Sequence, residues 1–152
     1  MFNTDTMKAT GKVNVVLKDE HGNVKKDFTV NNLVVDTGLD FIAGRMKDTG
    51  GAHTIPVEMS HMAIGTDNTA TTSGDTALGT EVGRTALTSS TVTDNSIAYV
   101  ATFAAGTGTA ALTEAGILNA ATNGTLLCRT VFNVINKGAA DTMTITWTIT
   151  IS

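Results

Sequence analysis

The last eleven residues, Thr142-Met-Thr-Ile-Thr-Trp-Thr-Ile-Thr-Ile-Ser152, alternate without interruption. Met143, Ile145, Trp147, Ile149 and Ile151 fall on one side, and Thr142, Thr144, Thr146, Thr148 and Thr150 on the other. Successive side chains of a strand point to opposite faces, so the pattern predicts a strand with one apolar face and one hydroxyl face. A period of two would scatter the apolar groups around a helix, and Thr, Ile and Trp all favour strands. The chain's only Trp stands mid-strand on the apolar side, which puts Trp147 at the centre of the expected core.

The same reading supplies partners for this strand. Lys12 to Leu17 is a strand, Asp19 to Asn23 a turn, and Val24 to Val35 one or two strands with a break near Asn31-Asn32. Asp36-Thr37-Gly38 opens a helix over about 37–47, with Asp36 or Thr37 as N-cap and an apolar stripe of Leu39, Ile42, Ala43 and Met46. Asp48 to Pro56, with its Gly pair and only Pro, is a loop. Glu58 to Ile64 reads as a strand, with Met59, His61 and Ala63 on one face and Ser60, Met62 and Ile64 on the other. A loop of small residues covers 66–79, and a strand region runs from Glu81 to Thr93. Its partner is Ser96 to Ala104, with Ile97, Tyr99, Ala101 and Phe103 on one face. Leu112 to Leu118 and Thr125 to Ile135 complete the set. Seven to nine short strands and one helix predict an antiparallel β-sandwich or jelly roll. It forms a single β-rich domain over 11–152, preceded by an N-terminal arm over 1–10.

Composition sharpens this picture. Charged residues are 16% of the chain, against about a quarter in ordinary soluble domains, and aromatics are 5%. Thr, Ser, Ala, Asn and Gly must therefore cover much of the surface. Either this is simply a Thr-rich sheet protein, or much of the surface meets other subunits, since interfaces are depleted in Lys, Glu and Asp. A net charge of −4 and the lack of a basic run argue against nucleic-acid binding. No apolar run is long enough to span a bilayer, so no membrane partner is expected. The N-terminus does not read as a signal peptide, which predicts synthesis and first assembly in the cytoplasm.

Catalytic chemistry finds little support in the spacing. His21, His53 and His61 lie in different segments, and the single Cys128 has no cysteine partner. His61 reads as a packed or interfacial histidine and Cys128 as a small structural residue. Asp67-Asn68 and Asp94-Asn95 suit turns better than a calcium loop, and Gly106-Thr-Gly108 lies between strands rather than before a helix. No catalytic residue, cofactor or metal ligand is expected, and the protein reads as a non-enzyme. Two acid–base pairs are of interest in so uncharged a chain. Glu81 and Arg84 are three apart, and Glu114 can face Arg129 on the next strand. Each pair either fixes loop geometry or is a surface ion pair of little consequence. Together with Trp147 they are the structural or interface candidates.

Most of these residues fall in one series along the chain: Met59-Ser-His-Met-Ala-Ile-Gly65, then Asp75-Thr-Ala-Leu-Gly-Thr-Glu-Val-Gly-Arg84, Thr113-Glu-Ala-Gly-Ile-Leu118, Gly124-Thr-Leu-Leu-Cys-Arg129 and Lys137 to Ser152. The series resembles small virion structural proteins of tailed bacteriophages, among them tail-collar and fibre proteins and capsid decoration (cement) subunits. The resemblance runs from about Met59 to Ser152; the N-terminal hairpin and helix match only loosely. It implies a β-rich subunit without catalysis that binds copies of itself, as a trimer or dimer, and a phage major capsid protein or a tail or neck protein. A capsid decoration protein on the virion shell is the leading expectation, with a tail, neck or baseplate appendage, host-facing or not, as the alternative. The N-terminal arm and loops 48–57 and 66–79 are the expected contact segments. A carbohydrate-binding β-sandwich is the remote alternative, because sugar sites need exposed aromatics and this chain's one Trp and one Tyr both face inward by pattern.

Overall fold

The terminal alternating segment forms a strand hydrogen-bonded on both sides, and the sheet grows outward from it. The computed structural model describes residues 5–47 and 56–152. Its elements are β1 (Ala9–Lys18), β2 (Val24–Val34), α1 (Asp36–Arg45), β3 (His61–Gly65), β4 (Glu81–Ala86), β5 (Ser89–Thr93), β6 (Ser96–Phe103), β7 (Ala110–Leu118), β8 (Leu126–Lys137) and β9 (Thr142–Ile151). The strands run in the order β4-β3-β7-β8-β2-β1-β9-β6-β5, and every pairing is antiparallel. The fold is therefore mainly β with one short helix. The two packed halves belong to one continuous curled sheet rather than to two separate ones.

The hinge of that curl is β2. It pairs with β1 as far as Asn32, and then Leu33 and Val34 pair with Arg129 and Cys128 of β8. The break expected at Asn31-Asn32 is thus a change of neighbour within an unbroken strand. The opposite rim is tied where the chain passes from β4 to β5: Leu87 N donates to Ser60 O, and Thr88 N donates to Val100 O. The region 81–93 is accordingly two strands at the two ends of the sheet order. Trp147 lies in the closed interior, fully buried between its register partners Val13 and Tyr99. Phe103, Met143 and Ile145 join it from one half, and Met62, Ile64, Leu112 and Ile117 from the other.

Four expectations need correction. The helix is not capped by Asp36 or Thr37: its N-cap is Val35, with no side-chain hydrogen bond. Thr37 Oγ1 instead donates to Leu126 O at 2.8 Å and fastens the helix to β8. The buried stripe is Gly38, Phe41 and Gly44, whereas Leu39 and Met46 are exposed. Glycine decides this, because a Cβ on Gly38 would collide with the Leu127 carbonyl oxygen. Finally, β3 is shorter than predicted and is buried on both faces, with Met62 and Ile64 in the main core and Ala63 in a smaller one with Val35, Leu78, Leu118 and Leu126. The expected arm already contains strand, since Ala9 and Thr10 pair with Ile151 and Thr150. Residues 1–4, and the loop expected over 48–56 apart from Pro56, lie outside the described residues.

Candidate functional site

The smaller core exists because the loop from Thr66 to Thr80 folds back over the outer face of β3, β7 and β8. Small polar residues cannot hold such a loop by burial alone, and Leu78 is its one buried apolar anchor. Ionic hydrogen bonds hold the rest. Glu114 projects from β7 on this outer face and is fully buried. Its Oε1 accepts from Asp67 N at 3.2 Å and Thr80 N at 2.8 Å. Its Oε2 accepts from Gly79 N at 2.9 Å and Arg129 Nε at 2.9 Å. One carboxylate thus satisfies backbone donors at both ends of the loop, in a place water does not reach. The carboxylate fits because residue 65 is Gly: a Cβ there would overlap Glu114 Oε1 and Thr80 O.

Arg129, on β8, completes the clasp. Its side chain is 4% exposed, and it donates to Asp75 Oδ2 at 3.0 Å and Asp67 Oδ2 at 3.3 Å as well as to Glu114. Burial works to lower the guanidinium pKa, but its bonds to Glu114 and Asp75 outweigh this and raise it. The Thr69 N–H and hydroxyl, with help from Arg129, hold Asp67 below the usual carboxylate range. For Asp75, burial pushes upward but loses to the Thr72 hydroxyl and N–H and to Arg129, so its carboxyl is also held low. The three carboxylates converge on one guanidinium.

The other predicted pair stands apart from this clasp. Arg84 Nε and Nη2 donate to the two oxygens of Glu81 at 2.7 and 2.6 Å. Its Nη1 donates to Ala120 O and Asn123 O, both at 2.9 Å, which ties β4 to the β7–β8 turn. This pair is partly exposed, and Trp147 lies away from both pairs in the main core.

Sequence reasoning placed Glu114 opposite Arg129 but missed Asp67 and Asp75 as its further partners. Asp67 does make the expected turn, accepting from Thr69 N at 3.1 Å, and it uses its other oxygen for Arg129. Sequence reasoning also missed a second group of buried charges, Lys137 and Asp141. Lys137 Nζ donates to Ala104 O at 3.0 Å and Asp141 O at 2.8 Å, and burial lowers its pKa. The Asp141 carboxylate accepts from Lys25 Nζ at 2.6 Å and Gly138 N at 2.7 Å, and these bonds hold it low. Buried lysines leave no period in a sequence, so only proximity to Asp141 hinted at this lock. Cys128 is fully buried, and burial raises its thiol pKa well above the ordinary value. His61 is half-buried, with Nδ1 2.8 Å from Ser60 Oγ. Tyr99 is almost wholly buried, and burial pushes its hydroxyl up to about 12.

Two features of the surface remain. Between α1 and the end of the β6–β9 pair lies an apolar groove of about 310 Å³, lined by Phe41, Ile42, Ile97, Ile149 and Ile151. The outer face of β9, β6 and β5 carries Thr142 to Thr150 at alternate positions, then Ser96, Ala98, Val100 and Thr102, then Ser89, Thr91 and Thr93. That face holds no charged residue. Hydroxyls pair across it: Ser96 Oγ with Thr150 Oγ1 at 2.8 Å, and Thr102 Oγ1 with Thr144 Oγ1 at 3.1 Å. Among the described residues no group of three potential metal ligands is poised to hold an ion, and no helix is long and apolar enough to cross a membrane. No protein-family profile, curated protein or solved structure matches this chain.

Proposed function

We propose that this chain is a structural subunit of a tailed-phage virion, and that it acts as a capsid decoration protein which self-associates and stabilises the shell. The observation that carries the proposal is the uncharged hydroxyl face spread over β9, β6 and β5. Covering these three strands strips water from no ion of their own, Lys12 and Lys18 of neighbouring β1 standing at the border beside Thr148 and Thr142, and β-branched Thr side chains have little rotamer freedom to lose. Depletion of Lys, Glu and Asp is the compositional mark of an interface core.

Two further points support the reading. The sequence series that resembles phage virion proteins includes Gly65, Asp75, Glu114 and Arg129, which here form or frame the clasp. A loop fixed by buried ion pairs offers a rigid contact surface at little entropic cost. Many weak, identical contacts would then add up on a symmetric shell. The sugar-binding alternative loses support, because Trp147 is fully buried and Tyr99 nearly so.

Mass spectrometry of purified particles, with imaging of a tagged subunit, tests this. Decoration predicts copies in the hundreds, distributed over the shell. A handful of copies confined to the tail, neck or baseplate would replace it with the appendage reading. Absence from particles would reject both.

A further inference from the structure

Exposed strand edges template association unless charge, proline or a bulge blocks them. The terminal strand β4 carries Glu81 and Arg84 and has a register slip beside Gly65. The length of β2 that turns away from β8 carries Lys25, Lys26 and Asp27. The other terminal strand, β5, carries neither charge nor proline, and its one offset lies just before it, where Thr88 N donates to Val100 O beside the Ser89–Val100 pair. Its sequence is Ser89-Ser-Thr-Val-Thr93, its register with β6 is regular, and all five residues are exposed, with Val92 69% accessible. Among the described residues β5 pairs with β6 alone.

We infer that β5 pairs antiparallel with β5 of a second copy, about a two-fold axis at Thr91, so that the curled sheets of two subunits run into one. The inference rests on the self-associating subunit proposed above and names the seam. The register follows from the ladder. Asn95 O accepts from Ile151 N, so odd-numbered backbone groups along β6 turn to β9 and even-numbered ones to β5. Ser96 and Ala98 therefore turn to Thr93 and Thr91, and Val100 O accepts from Thr88 N beside Ser89, which leaves the N–H and C=O of Ser90 and Val92 pointing outward. Only one register uses every outward group of both strands: Ser90 opposite Val92 of the copy. Thr91 then faces Thr91, and Ser89 faces Thr93. No charge meets a charge, and β-branched pairs suit the seam. Val92, which borders the apolar groove, is covered by the partner strand. A seam of five residues buries less than the roughly 1,200 Å² of a stable interface, so it is weak in dilute solution and effective on a crowded shell.

Disulfide trapping reads the register directly. Cys128 is buried and does not compete. Thr91 and its mate form a non-hydrogen-bonded pair with Cα atoms about 4.5 Å apart, within disulfide reach. Thr93 and Thr93 of the copy are about 14 Å apart at the usual rise per residue and strand spacing. At high protein concentration, Thr91→Cys should oxidise to a covalent dimer at least about tenfold faster than Thr93→Cys. Adding Val92→Pro, which removes an outward N–H and no bond to β6, should abolish that preference. Val92→Lys, which keeps the strand and charges the seam, should do the same. Equal rates for the two cysteine variants, or a preference that survives both changes at Val92, would overturn the inference. Failure here with hundreds of copies on the shell would leave the virion reading standing; trapping without particle incorporation would do the reverse.

Discussion

A single carboxylate with four hydrogen-bond donors cannot be replaced by an amide without a clash of like groups. In Glu114→Gln, one oxygen that accepts two N–H groups becomes an NH₂ that donates toward them. Breaking a buried ionic pair from one side costs about 3–5 kcal/mol, so this variant should lose about 3 kcal/mol in chemical denaturation. Arg84→Ala removes a partly exposed pair and should lose only about 1 kcal/mol. Equal losses would show that the buried clasp has no special standing. Trp147→Ala belongs to a different class, since it opens a cavity in the main core, and about 3–5 kcal/mol is expected. An unchanged melting temperature would remove Trp147 from the centre of the fold.

At the scale of elements, the clasp makes the 66–80 loop part of the sheet's outer layer, and α1 is fastened to β8 through Thr37 and the close approach of Gly38. Gly38→Val forces a side chain onto the Leu127 carbonyl and should destabilise by about 1–3 kcal/mol, whereas Leu39→Val on the exposed face should be nearly silent. Thermal melts of the two variants test which face of the helix is buried. Of the apolar spacing read in α1 only Ile42 packs against the core, and the rest of the buried face was missed because glycine carries no hydrophobic signal. Here the absence of a side chain, not its polarity, determines which face can approach the strand.

At the scale of the whole molecule, acid should reveal how far the ion pairs hold the curled sheet together. Asp67 and Asp75 are held below the ordinary carboxylate range in the folded state. Their contribution is therefore complete above the unfolded carboxyl pKa of about 4 and is lost as pH falls through the lower folded values. Asp141 acts in the same direction. Denaturant titrations should show stability level with respect to these groups from pH 5 upward and falling below about pH 4. The fall should be shallower in Arg129→Met, which lacks the shared cation. An acid limb identical to wild type in that variant would contradict the assignment.

Alternation by twos is a local property, written wherever a strand buries one face. The sequence by itself therefore determined that the chain is sheet, that β9 is two-faced, that Trp147 points inward and that Ile97, Tyr99, Ala101 and Phe103 share a side. The short spacing between Glu81 and Arg84 made that pair legible as well. What only the tertiary structure decided is which strands are neighbours. The Glu114–Arg129 pair was legible too, but the partner change along β2 and the arrival of Asp67 and Asp75 at that pair join residues far apart in the chain, and the separation of β4 from β5 parts residues close in it. Those contacts depend on how a twisted sheet curls and closes, and curling is set by the summed packing of both halves rather than by any one segment's pattern.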